Sequence, residues 1–202
     1  MTSPKILRLA GWTAIASGAA TLMMVLIAIL SSTLKLGNTF SVVVVILMAL
    51  LIVVALALYL VLRSQAPAMS LAATVIGILG MLLTGAVHVL LMARVVSPEQ
   101  FNTTGEGIGP VGIGLWLLLV NYLALQSTAL PRGLTWIGLI AGAGWLMSGV
   151  GALIGGSQNL LSSIGPLGIF FVYPVWAIWL GRWLMKQLSP AKLTPEGVYD
   201  IA

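Results

Sequence analysis

The sequence predicts an all-α fold, a polytopic bundle of six transmembrane helices with both termini cytoplasmic. Three observations lead there. Six stretches hold no Asp, Glu, Lys or Arg: 9–30, 40–62, 70–93, 107–126, 134–154 and 160–181. Each approaches the ~20 apolar residues that cross a ~30 Å hydrocarbon layer. Only 6% of the 202 residues are charged, 60% are hydrophobic, and mean hydropathy is +1.13. A soluble domain carries about 25% charged residues, so this chain lacks the polar surface to cover a soluble globule. Finally, the runs are long and unbroken, whereas barrel strands would alternate over ~10 residues.

The first span follows Lys5 and Arg8, as a signal peptide would. Its apolar run is too long for a secretory core and no small-residue cleavage site follows, so it reads as an uncleaved span. The second and third spans, 40–62 and 70–93, are parted by a short polar turn around Arg63. The fourth, 107–126, carries Asn121 and Gln126, whose default role is hydrogen bonding between helices. The fifth, 134–154, is glycine-rich. The sixth begins at 160 and continues beyond Gly181 through Trp183 to Lys186. The spans use most of the chain, so 1–202 reads as a single transmembrane domain.

Charge sets the orientation. The side that holds the termini carries Lys5, Arg8, Arg63, Arg132, Arg182, Lys186 and Lys192. The other side carries Lys35 and Arg94. Cytoplasmic loops are enriched in Lys and Arg, which places both termini in the cytoplasm. Cations so placed suit anionic lipid headgroups, so the net charge of +5 indicates the bilayer as partner and not nucleic acid.

The chain also repeats. Pro67 precedes span 3 and Pro131 precedes span 5. Seventeen residues after each stands a hydroxyl–glycine pair, Thr84-Gly85 and Ser148-Gly149. Gly80 matches Gly144, Leu82 matches Leu146, and Tyr59-Leu60 matches Tyr122-Leu123. Spans 2–3 and 4–5 therefore read as two copies of one helical hairpin, in parallel and not inverted orientation. Span 5 holds Gly138, Gly142, Gly144, Gly149, Gly151 and Gly155. Small residues let helix backbones approach closely, either inside the bundle or on a face that docks a second protein.

The last span contains Tyr173-Pro174-Val175-Trp176-Ala177-Ile178-Trp179-Leu180-Gly181-Arg182. With the six-span layout and the near-absence of buried charge, this closing motif resembles a family of small bacterial integral membrane proteins defined as a domain of unknown function. The resemblance implies a multi-pass location in the bacterial plasma membrane and carries no chemistry.

His88 is the one histidine and the one ionisable side chain well inside a span. An intramembrane ionisable group marks a candidate site by default. It lies roughly 9 Å past the middle of span 3, in the half away from the termini. As a metal ligand it would serve as axial ligand to a haem or chlorophyll-type pigment. The alternative is a neutral imidazole hydrogen-bonded to a neighbouring helix. Tyr173, Trp176, Trp179 and Trp183 recur at spacings of three, three and four, which predicts one aromatic face on span 6. That face would stack a flat pigment, quinone or lipid, or else serve as packing and an interfacial belt. The longest loop, 95–106, carries Glu99 and Glu106 and could cap an external pocket.

With no cysteine and a single histidine, the chain cannot assemble a catalytic metal site from its own side chains. No intramembrane carboxylate orients His88 for hydrolysis, and no catalytic residue is assigned. The reading is a non-enzymatic accessory or structural subunit of a larger membrane complex, packed against other membrane protein subunits and holding a pigment or lipid. Two alternatives stand beside it: an autonomous channel or carrier for a small uncharged or hydrophobic solute, and a single-His tetrapyrrole-binding protein. A continuous polar inner face would favour the channel or carrier. We predict that a reporter fused to the C-terminus is active on the cytoplasmic side. Activity confined to the outer side would overturn the charge argument.

Overall fold

The computed structural model describes residues 4–34, 38–97, 107–155 and 159–187. Its helices are α1 (Pro4–Leu34), α2 (Thr39–Leu62), α3 (Pro67–Met92), α4 (Ile108–Ser127), α5 (Arg132–Gly155), α6 (Leu160–Leu167) and α7 (Tyr173–Lys186). A π-helical segment, Gly168–Val172, joins α6 to α7, so these three pieces form one span. Six segments are thus long and apolar enough to cross a membrane, and this is a multi-pass membrane protein. Lys35, residues 98–106 with Glu99 and Glu106, and the tail 189–202 lie outside the described residues.

Each span packs against its neighbours in sequence, and the sixth closes onto the first. The result is a ring of six helices. Its links Arg63–Ala66 and Thr128–Pro131 are four residues each, which forces the joined helices to run antiparallel. Pro67 stands at the first position of α3, where its missing N–H has no intrahelical partner to lose. Asn159 caps α6, its Oδ1 accepting from the Leu161 N–H at 2.9 Å. Leu9, Trp12, Leu26, Ile29, Ile46, Leu79 and Ile140 point outward and form the lipid-facing sheath.

Glycine sets how closely the ring closes. A Cβ at Gly80 would lie 2.7 Å from the Gly109 carbonyl oxygen, at the α3/α4 crossing. A Cβ at Gly144 would lie 2.7 Å from Gly168 Cα and 2.9 Å from the Gly165 carbonyl oxygen, where α5 crosses the sixth span. Gly181 and Gly11 meet backbone to backbone where the sixth span returns to α1. Gly138 seats the Asn121 side chain, Gly142 meets Leu117 and Leu118, and Gly151 meets Ser162. The span-5 glycines from Gly138 to Gly151 are therefore packed inside the ring. The expected docking face for a second protein is not present at these positions, because the neighbouring spans already occupy it.

The sixth span is irregular for a local reason. Pro166 sits inside α6, and Pro174 follows the π segment directly. Each proline lacks an N–H, and its ring crowds the carbonyl one turn earlier. In the π segment the Tyr173 N–H reaches back to the Gly168 carbonyl, five residues away. This wider turn relieves the crowding ahead of Pro174.

We predict that Gly144→Val destabilises the protein by roughly 1–3 kcal/mol or more, because backbone has to move to admit the side chain. At Gly85 a Cβ meets nothing closer than Met48 Cβ at 3.8 Å. Gly85→Ala should be neutral or stabilising, by up to about 1 kcal/mol of helix propensity. Thermal unfolding in a mild detergent, followed by tryptophan fluorescence, separates the two.

Candidate functional site

The ring encloses a cavity of about 190 Å³ in the half away from the termini. All six spans line it: Met24 from α1; Phe40, Val44, Leu47 and Met48 from α2; Thr84 and His88 from α3; Pro110 from α4; Trp145 and Ser148 from α5; Pro166, Ile169 and Phe170 from the sixth. His88 is thus a wall of an internal cavity and not a group stranded in lipid. Its Nδ1 lies 3.1 Å from Ser41 Oγ on α2, and Phe40 tilts against its ring at 6.3 Å between centroids. The imidazole ties α2 to α3. No glycine on α2 sharpens that contact, so the polar pair contributes more there than it would at a tighter crossing.

Beneath the cavity the interior is filled. Trp145, Tyr173, Trp176 and Trp116 form a chain of ring contacts at 6.5, 5.8 and 6.4 Å. The Tyr173 hydroxyl and Ser17 Oγ on α1 are 2.7 Å apart. Trp176 Nε1 donates to Asn121 Oδ1 at 3.2 Å, and Asn121 Nδ2 donates to the Leu117 carbonyl at 2.8 Å. Asn121 therefore does join helices, as expected of a polar side chain in a span. Trp116 rests on Gly77, where a Cβ would lie 2.5 Å from Trp116 Cγ. Below this layer Leu58, Leu62, Leu134, Leu180 and Leu184 are all but inaccessible.

The aromatic face expected on span 6 is corrected by this arrangement. Tyr173 and Trp176 are fully buried, whereas Trp179 is 41% exposed and Trp183 is half-buried. At about 100° per residue, Trp179 lies ~120° around the helix from Tyr173, so equal spacings of three do not keep one face. Tyr173 and Trp176 are core packing. Trp179 and Trp183 join Arg182 and Lys186 around a shallow groove at the terminal end.

A second cavity of about 700 Å³ opens at that terminal end. Leu7, Arg63, Ser64, Thr128, Pro131, Trp183 and Gln187 line it. Thr128 ends α4 in the left-handed region, at φ 53°, which is unusual for a β-branched residue. Along the sixth span the outer cavity ends at Phe170 and the inner one begins at Trp183. About 20 Å of filled core, at 1.5 Å per residue, separates them.

One signal was missed in the sequence. Gly109-Pro110-Val111-Gly112-Ile113 recurs as Gly165-Pro166-Leu167-Gly168-Ile169. Both copies use their glycines at a helix crossing and both place their proline on the outer cavity. A search for short repeated strings would have found it.

The model of the family described as a domain of unknown function, DUF4386, matches residues 13–186. The chain belongs to the DUF4386 family. The DUF4386 region runs from within α1 to the end of α7, so it contains all of the outer cavity and the closing Tyr173–Arg182 stretch. No curated protein and no solved structure matches the chain.

We predict that Tyr173→Phe lowers stability by about 0.6–2 kcal/mol through loss of the Ser17 hydrogen bond. Trp179→Leu should change stability by less than about 0.5 kcal/mol, because its side chain is largely outside the core. Equal losses in denaturant titrations of the two variants would restore the single aromatic face.

Proposed function

We propose that the protein is a non-enzymatic carrier that takes a small, uncharged, largely apolar molecule into the outer axial cavity. The observation that carries this reading is that every span of the ring contributes to one internal cavity. Binding sites within helical membrane proteins form where spans converge and where helices are interrupted. Here the interrupted span, with Pro166, the π segment and Pro174, runs from the outer cavity to the inner one. A second support is the run of buried polar groups around the axis: Ser17, Thr21, Ser41, Thr84, His88, Asn121 and Thr135. Such an inner polar face is what separates a solute-handling protein from a purely structural one. The filled core between the cavities favours a carrier, which opens to one side at a time, over an open channel.

The two glycine crossings support a parallel repeat in which spans 2–3–4 correspond to spans 4–5–6. Thr84 and Pro110 then correspond to Ser148 and Pro166 on the walls of one cavity. Both termini are read as cytoplasmic from the charge distribution, so the cavity with His88 faces outward across a bacterial plasma membrane.

The other readings draw less support. A cavity of 190 Å³ is below the ~300–1,000 Å³ of pockets for drug-sized ligands, and a tetrapyrrole is larger still. His88 Nδ1 already faces Ser41, which favours a hydrogen-bonded imidazole. The accessory-subunit reading drew on glycine-rich faces, and those glycines are used inside the ring.

Native mass spectrometry of the untagged protein, released gently from its own membrane, tests the proposal. The expected result is a small added mass on the wild type that is lost in Ser148→Leu, which fills the cavity, at unchanged oligomeric state. Added protein mass in fixed ratio would return the accessory-subunit reading. A coloured, tetrapyrrole-sized adduct that disappears in His88→Leu would establish the pigment reading instead.

A further inference from the structure

Resting on the reading of the outer cavity as a ligand site, we infer its ligand chemistry: a compact, uncharged, ring-sized molecule with one hydrogen-bond-accepting oxygen, received by the Trp145 indole N–H. Size sets the first limit. An engineered apolar cavity of about 150 Å³ admits benzene, so 190 Å³ admits one substituted six-membered ring and not an extended chain. Charge sets the second. No Asp, Glu, Lys or Arg lines the cavity, and a charged ligand would enter it without a counterion. The wall chemistry sets the third. The Met24 and Met48 thioethers and the rings of Phe40 and Phe170 offer polarisable surface suited to a flat or compact ring.

The acceptor oxygen follows from one donor. Trp145 is only 5% exposed, lines the cavity, and has no hydrogen-bond partner for its Nε1 among the described residues. A buried donor without a partner costs about 1–3 kcal/mol, and at membrane depth no bulk water relieves it. The other polar groups on the walls are engaged: Thr84 Oγ1 donates to the Gly80 carbonyl at 2.9 Å, and His88 pairs with Ser41. A carbonyl or ether oxygen on the ligand satisfies the indole, whereas a pure hydrocarbon leaves it unpaired. A ketone is therefore preferred over a hydrocarbon of the same shape.

The test uses the full chain in lipid nanodiscs with its tryptophans labelled at the indole nitrogen. The Trp145 resonance is assigned by its absence in Trp145→Phe. Cyclohexanone and methylcyclohexane, close in shape and differing in the carbonyl, serve as probes. Cyclohexanone is expected to give a saturable downfield shift of the Trp145 N–H, and methylcyclohexane none. In Trp145→Phe the cyclohexanone affinity, read from other cavity signals, should fall about 2–13-fold, the equivalent of one ordinary hydrogen bond. Saturable binding of both probes with Trp145 unmoved would overturn the assigned acceptor while leaving the cavity as a ligand site. Only linear drift with either probe, at every tryptophan alike, is partition into lipid and would overturn both. The wild-type shift decides the matter even if Trp145→Phe folds poorly.

Discussion

Inside a bilayer, helices gain nothing by hiding apolar surface from one another, because lipid tails are as apolar as leucine. What holds the ring is therefore contact distance: how many atoms of one backbone can reach the next. Three closures, Gly80 with Gly109, Gly144 with Gly165 and Gly168, and Gly11 with Gly181, bring carbonyls and Cα atoms into direct contact. The rest of the architecture depends on them. They tilt the two Gly-Pro segments inward, so that Pro110 and Pro166 reach the axis and keep the spans from meeting there. A cavity at that end follows from close approach just beside it.

The same closeness fixes what fills the centre. Large rings can occupy the interior only where a glycine makes room, as Gly77 does for Trp116 and Gly138 for Asn121. Each buried polar atom then needs a partner, since water does not reach it. Asn121 meets this twice, accepting from Trp176 and donating to its own helix. Ser17 and Tyr173 meet it across the seam that closes the ring. Polar groups here act less as adhesive than as register marks, each with one partner position that satisfies it.

The six spans were legible in the sequence because span length and charge exclusion are properties of the bilayer and not of this chain. The expected limits fall within a few residues of the helices, with 40–62 against Thr39–Leu62 and 134–154 against Arg132–Gly155. The individual side chains were harder. His88 was singled out by composition alone, but its place on a shared cavity depends on how six helices converge. Tyr173 and Trp179 were assigned one face by counting in threes, and 3.6 residues per turn separates them. The paired Gly-Pro motifs are plain in the letters, yet small residues and proline are common enough in membrane helices that the repeat gains meaning only with the crossings.

The π segment carries a consequence for how this chain can vary. Gly168–Val172 holds one residue more than an α-helix of the same rise would need. Excision of any one of these five residues would let the helix close up as regular α and turn everything after it by about 100°. Trp176, Leu180 and Leu184 would swing toward lipid, and Val175 and Trp179 would take their places. The segment thus works as a phase setter between two halves of one span. Length changes there are far more disruptive than substitutions, whereas the same change in a loop would pass unnoticed.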